Sequence, residues 1–468
     1  MTQHHYRKRS IVGMVGLALC WGVHGQVQDT TTSYSYDNMG NVTEITDPLL
    51  KKTVTGYDVL SRQSSIKDPA LGVTDLEYDG LDQLTKVTDA RRVVTSYQID
   101  GLGNLKQVTS ADAGVSSSTY DESGNVLTRT DAKLQTTRYV YDALNRIKLI
   151  TFHNGTTVAY VYDQGTNALG RLSSITDGSG TIAYSYDQHG RVTMESREIT
   201  GVTYATSYRY DLDGRLSGMT YPSGRNIQYG RDALGRINSI STDVGGASVA
   251  LVSQTSYEPF GPVKSVKFGN GQVQTKQHDV DGRVSGFNLS AQAMSLNYDA
   301  ASRMKGIVNA ADPAAATSYG YDSLDRLNSV ISTTSSQTYL YDSVGNRKEK
   351  VNNSVVTPYK YEGPGNGLTQ VGAQVITADA NGSITNKGNA SFTYDVRGRM
   401  VSANTTLGLV QYTINSLGQR VRKVTPTETT IFHYDTAGKL IAETTTVAGV
   451  GKTQEHIYLG DMPVAVLK

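Results

Sequence analysis

The sequence predicts an all-β fold: tandem antiparallel β-hairpins forming a curved, coiled ribbon. Strand formers alternate with turn formers throughout, with 30 Tyr against 6 Phe, 47 Gly, 10 Pro and only 38% hydrophobic residues among 468. A short motif also returns at near-constant spacing, which signals a repeat architecture. Finally, long aliphatic runs are rare, so the chain lacks material for the roughly two to four dry-cored domains its length allows. It is still too rich in Tyr, Val and Ile to be disordered.

Residues 1–25 are a separate object. His4, His5, Arg7, Lys8 and Arg9 give a positive start, Ile11 to Trp21 is apolar and uncharged, and Val23-His24-Gly25 supplies a cleavage context. This is the layout of a secretory signal peptide. The apolar stretch is shorter than the about 20 residues that span a bilayer. The mature chain is therefore expected to be exported (periplasmic, cell-surface or secreted) with no stable membrane span. Leu17-Ala18-Leu19-Cys20 loosely resembles a lipobox, but Leu19 is too large for the position before a lipidated Cys. Cys20 is the only cysteine, so the mature chain enters a disulfide-permitting compartment with none to pair. Lys and Arg number 44 against 43 Asp and Glu, a balance that predicts no nucleic-acid partner.

The repeat opens as Tyr36-Asp37-Asn38-Met39-Gly40-Asn41-Val42 and returns every 21 residues up to Tyr162-Asp163, then every 16 to 26. Thirteen strict Tyr-Asp copies and seven degenerate ones are present. Those that keep the Gly are Tyr36, Asp37 and Gly40; Tyr120, Asp121 and Gly124; Tyr186, Asp187 and Gly190; Tyr210, Asp211 and Gly214; Tyr341, Asp342 and Gly345; Tyr394, Asp395 and Gly398; and Tyr434, Asp435 and Gly438. These residues are expected to be structural.

Each element has a physical reading. Tyr often recurs two residues apart, as at Tyr34 and Tyr36 or Tyr139 and Tyr141, which places both on one strand face. The Asp carboxylate accepts backbone N–H groups of the turn ahead. Gly supplies a position with positive φ. Asp82, Asn145 and Asp325 replace it tolerably, Ser61 and Ser302 less well. Val, Leu or Ile then begins the return strand, giving a hairpin with a loop of about four residues. A second turn falls at Thr46-Asp47-Pro48, Lys67-Asp68-Pro69 and Thr88-Asp89. The basic residue after the Gly, as in Arg191, Arg215, Arg283, Arg326 and Lys439, either pairs with an Asp of a neighbouring hairpin or is solvated.

These motifs resemble the bacterial RHS repeat family, also called YD repeats, and the YD shell of teneurins. The resemblance covers about residues 34–468. His456 to Val466 also resembles the entry into the RHS-associated core. It implies a hollow β-shell, in many members enclosing a C-terminal toxin that acidic core residues release. The chain stops at Lys468, a few residues into that entry, so no Asp is assigned the cleavage role. The expected organisation is a signal peptide over 1–25, repeats over 26–455 and a truncated core entry over 456–468. About 40 strands spaced about 4.8 Å give a ribbon roughly 190 Å long. A wall around a 100-residue cargo of about 13 Å radius of gyration needs a circumference of about 140 Å. An open shell segment is expected.

Site chemistry is sparse. Asp211-Leu212-Asp213-Gly214 and Asp279-Val280-Asp281-Gly282 look like calcium loops but lack the later Glu, and their first Asp sits at the repeat's own turn position. His153, His189, His278, His433 and His456 show no metal spacing. The Gly-rich stretch Gly363 to Gly367 opens no helix for phosphate. No catalytic residue, cofactor or metal is therefore expected, and a cell-wall hydrolase is disfavoured. Two readings remain. One is a scaffold or encapsulation segment of a polymorphic toxin or cell-contact system, partnered by a downstream core or toxin chain. The other is an extracellular module holding a cell-surface glycan on exposed Tyr rows.

Overall fold

The computed structural model describes residues 30–259, 261–290 and 292–468. The signal-peptide expectation for residues 1–25 lies outside them. The described residues form 42 strands and no helix, and the strands pair antiparallel with their neighbours in sequence. The all-β, tandem-hairpin expectation is borne out.

One turn shows how the sequence reverses the chain. The Asp37 N–H donates to the Asn41 carbonyl (3.0 Å) and the Gly40 N–H to the Asp37 carbonyl (3.2 Å). Asp37 Oδ1 accepts the N–H groups of Met39 and Asn41, both at 2.9 Å. Gly40 has φ 85°. This is a three-residue loop with a left-handed residue and a bulge. It is shorter than expected from sequence because the Asp itself joins the ladder. Where Gly is absent, Ser61, Asp82, Asn145, Ser302 and Asp325 take φ of 59–63°.

The second turns that begin at Asp47, Asp68, Asp89 and Asp131 use the same device without Gly. Asp47 Oδ1 accepts the Leu49 and Lys51 N–H groups at 2.8 Å, and Leu50 holds the left-handed position at φ 62°. Leu71, Arg92 and Leu134 do the same at φ 68°, 66° and 60°. Such a conformation costs a side-chain-bearing residue about 1–2 kcal/mol, offset by the carboxylate's bonds to the turn.

Next to each first turn the ladder skips one residue. Tyr36 pairs with Val42 but Ser35 with Glu44, so Thr43 has no partner. The bulge brings Val42 and Ile45, three apart in sequence, onto the tyrosine face. The same shift recurs at Leu84 and Val87, and at Ile147 and Ile150.

The described residues group into two compact units. The first comprises the chain up to Asp112 with Ala293–Gly372. There the second turns of the earlier stretch meet the first turns of the later one. Lys51 Nζ lies 2.6 Å from Asp325 Oδ1 and 2.9 Å from the Asp322 carbonyl. Arg91 Nη1 donates to Asn366 Oδ1 (2.9 Å), and Asn366 Nδ2 to Asp89 Oδ2 (2.8 Å). The Gly-rich stretch weighed for phosphate thus seats on this unit's own chain, with the Asn366 N–H also on Asp112.

The second unit comprises Ala113–Gln292 and Ala373–Lys468. Lys133 Nζ meets Asp379 Oδ2 at 3.1 Å, and Asn381 Nδ2 meets Asp131 Oδ2 at 2.7 Å. Its core sets Met219, Tyr221, Ile227, Ile240 and Val252 against Ile441, Ile457 and Leu459. A smaller cluster joins Phe152, Val158 and Ile175 to Val396. The Met462–Leu467 strand, at the expected core entry, pairs with Val450–Leu459 as one more hairpin.

Candidate functional site

The motif residues build a clamp between successive first turns. Arg146 follows the left-handed residue of its turn. Its Nε donates to Asp142 Oδ2 (2.7 Å), in the same turn, and its Nη2 to Asp163 Oδ2 (2.6 Å), in the next. Its guanidinium carbon lies 4.3 Å from the ring centroid of Tyr162. The Tyr162 hydroxyl donates to the Ile147 carbonyl (3.1 Å), on the strand leaving the Arg146 turn. Arg62 repeats this with Asp58 (2.7 Å), Asp82 (2.7 Å), the Asp79 carbonyl (2.9 Å) and the Tyr78 ring (4.8 Å). Arg191 over Tyr210 (4.6 Å) and Arg326 over Tyr341 (4.8 Å) follow suit. Of the two readings left open for these basic residues, pairing applies: Arg191, Arg215, Arg283 and Arg326 pair with the Asp of the same turn, and Lys439 with Asp461 of a later one.

The electrostatics follow from the contacts. The Arg146 backbone N–H, helped by its guanidinium, holds Asp142 below the ordinary carboxylate range. Hydrogen bonds from the Arg146 side chain lower Asp163. The two carboxylates in turn raise Arg146.

The motif residues lie in the first turns and at the ends of the strands that enter them. Gly40, Gly124, Gly190, Gly214, Gly345, Gly398 and Gly438 all have φ of 74–94°. Asp121, Asp187, Asp342, Asp395 and Asp435 each accept N–H groups two and four residues on, and Asp211 accepts Arg215 N–H at 2.8 Å. Tyr186, Tyr210, Tyr341, Tyr394 and Tyr434 donate to carbonyls at 2.6–2.9 Å. Both acids of each calcium-like stretch face the same turn's arginine, Arg215 or Arg283.

The expected exposed Tyr rows need correction. Tyr34 and Tyr36 are exposed at 39% and 45%, whereas Tyr208 and Tyr221 are buried. The tyrosine face carries the buried residues, and the motif hydroxyls are spent on backbone.

Sequence reasoning missed a buried polar cluster in the second unit. Glu195 and Arg197, two apart on one strand, form an ion pair on the tyrosine face. Arg197 Nη1 donates to Gln419 Oε1 (2.6 Å), which lies 222 residues away in the chain. His433 packs against Tyr204 with ring centroids 4.6 Å apart. The Tyr208 hydroxyl accepts the Thr436 N–H (3.0 Å). Glu195, Arg197 and His433 are 2%, 5% and 4% exposed, which leaves no room for a substrate. Burial raises Glu195 against the pull of Arg197. Burial, reinforced by Arg197, lowers His433 to about 4. Burial lifts Tyr184, opposite Glu195, to about 12. A Glu and an Arg on the apolar side of a strand were the available signal.

The Teneurin YD-shell family model matches residues 20–167 and 282–436. The chain belongs to the teneurin YD-shell family. Within this YD-shell chain, residues 167–205 and 210–248 match the RHS repeat model. No curated protein matches it. Solved structures share its fold at low identity. A crystal structure of TcdB2-TccC3-TEV is 16% identical with a TM-score of 0.77, over 92% of this chain and 28% of that one. A TcdB2-TccC3-Cdc42 crystal structure gives 16% and 0.76, over 91% and 27%. The Photorhabdus luminescens Tc holotoxin pore gives 16% and 0.74, over 92% and 27%. The YD-shell chain thus spans little more than a quarter of these chains.

Proposed function

We propose that this YD-shell chain is a non-catalytic, exported wall segment of a toxin complex, working with an RHS core or toxin partner. In this reading residues 1–25 direct export, 26–455 form the wall and 456–468 begin the core. The observation that carries it is the difference between covered and uncovered first turns. In the first unit, Leu324 and Val344 stand two residues after their Asp and are half-buried where those turns meet the second turns of the same unit. Leu60, Leu81 and Leu102 occupy the same position and are 62%, 64% and 86% exposed. A row of exposed leucines on a polar ribbon marks a contact surface. The motif carboxylates support a structural role, because turn N–H groups and arginines occupy them. The likeness to TcdB2-TccC3 structures supports a toxin-complex setting.

The test is to co-express the chain with any core-like reading frame encoded beside it. Co-elution as one particle that shields the partner's C-terminal segment from protease is expected. Absence of such a frame, or a product that elutes apart, overturns the reading.

A further inference from the structure

The second unit holds a cleft of about 510 Å³ on its tyrosine face, between the strands Val126–Thr130, Thr136–Tyr141 and Ile147–Thr151 and the Asp395 turn. Its walls are fixed. Lys133 bonds Asp379, Asn381 bonds Asp131, and the Arg397 guanidinium sits 5.2 Å from the centroid of the Phe152 ring. Asp395, also in the lining, is engaged by Arg399. Tyr139, Ile150 and Phe152 provide aromatic and aliphatic surface, with Tyr139 and Ile150 opposite each other in the ladder.

Several lining side chains are not spent on the ribbon itself. The Tyr141 hydroxyl donates to the Val126 carbonyl at 3.0 Å, as motif tyrosines do. The Tyr139 hydroxyl, the Arg129 guanidinium, the Gln135 amide and the Thr137 hydroxyl have no hydrogen-bond partner among the described residues, although all four line the cleft. Nearly every motif arginine is paired with a turn carboxylate. Arg129 and Arg397 have no carboxylate within ion-pair distance among the described residues. Arg397 is satisfied instead by the Ser416 carbonyl (3.0 Å). Burial and the neighbouring Arg399 lower its affinity for its proton, against the pull of Tyr160, Asp177 and Asp395.

We propose that this cleft binds an oligosaccharide containing a uronic acid, with a sugar ring on Tyr139 and the uronate carboxylate on Arg129 and Arg397. Guanidinium groups suit a planar carboxylate. An apolar floor with a few convergent polar groups is the general form of a small-ligand site. The lining strand Val126–Thr130 is paired on both sides. It offers no free backbone edge for an extended acidic peptide, so face recognition of a ring is favoured. This inference does not rest on the toxin-complex reading.

Titration calorimetry on the chain from residue 26 onward tests it, with tetragalacturonate, its neutral galactose counterpart and tetraglutamate as probes. Saturable binding of tetragalacturonate is expected, weakened about tenfold or more by R129A, with melting temperature unchanged, and likewise weakened by Y139A. The neutral sugar should bind about tenfold more weakly or not at all. No saturable binding of tetragalacturonate overturns the proposal. So does equal binding of the neutral sugar, equal binding of tetraglutamate, or affinity indifferent to both substitutions.

Discussion

Arg146 stacks 4.3 Å over the ring of Tyr162 while gripping the aspartates of two successive turns, Asp142 and Asp163. The Tyr ring is thus held from one side by a cation and at its hydroxyl by the Ile147 carbonyl. A hairpin that is marginal alone gains its fixed position on its neighbour from these contacts. Tyr162→Phe removes the hydroxyl bond and should cost about 1 kcal/mol. Arg146→Ala should also destabilise, and the double variant should lose less than the sum, since both residues act on one joint. Chemical denaturation of the four proteins measures the coupling. Strict additivity would show that the hydroxyl bond and the Arg146 grip are independent of each other.

The second turns make a different prediction. Leu134 holds φ 60° and is 84% exposed, so its side chain contributes little burial. Leu134→Gly should stabilise by about 0.5–1 kcal/mol through relief of the left-handed strain. Gly40, at φ 85° with nothing near an added Cβ, should show the opposite: Gly40→Ala should destabilise by about 1 kcal/mol. Melting curves of both variants decide it. A Leu134→Gly protein that melts lower than wild type would exclude strain at that turn.

These two predictions mark what was legible in the chain. The Tyr-Asp-x-x-Gly pattern encodes hydrogen bonds between residues at most four apart, and such local constraints repeat in register with the sequence. The second turns at Asp47, Asp68, Asp89 and Asp131 kept the Asp but placed Leu or Arg where Gly was the expected cue, so their shared geometry was hidden. The bulge had a cue in the three-residue spacing of Val42 and Ile45, which breaks the alternation of a regular strand. The Glu195, Arg197 and His433 cluster had none beyond two charges on an apolar face. It depends on a contact 222 residues away in the chain, which no local pattern encodes.

That cluster makes stability depend on pH. His433 is held to about 4 in the folded chain, against about 6.5 when unfolded, by burial and by Arg197. A lowered histidine value means the unfolded chain binds the proton more readily. Stability from this residue is complete above about 6.5 and is lost as pH falls toward 4, by up to about 3 kcal/mol. Glu195, raised by burial, acts oppositely: its charge penalises the folded state at neutral pH, and protonation relieves that penalty as pH falls. His433→Gln should therefore flatten the acid limb of the stability curve between about pH 6.5 and 4. Glu195→Gln removes the charge that burial penalises while keeping a neutral acceptor for Arg197, so it should not lower stability at pH 7 and should remove the opposing gain on the acid side. Denaturation midpoints measured across pH 4–8 test both signs. An unchanged acid limb in His433→Gln would place the acid loss elsewhere.

The exposed first-turn row of the first unit gives a prediction about assembly alone. Leu60, Leu81 and Leu102 project from turns whose own N–H groups bond backbone carbonyls and Asp carboxylates. Replacing the three with Ser removes apolar surface that the isolated chain leaves in water, so its melting temperature should not fall. If another ribbon covers this row, the same variant should lose its partner, because each leucine would otherwise bury a side chain worth about 1.5–3 kcal/mol. Size-exclusion chromatography of the chain with a core-bearing partner separates the outcomes. Co-elution that survives the triple substitution would show that the row plays no part in docking.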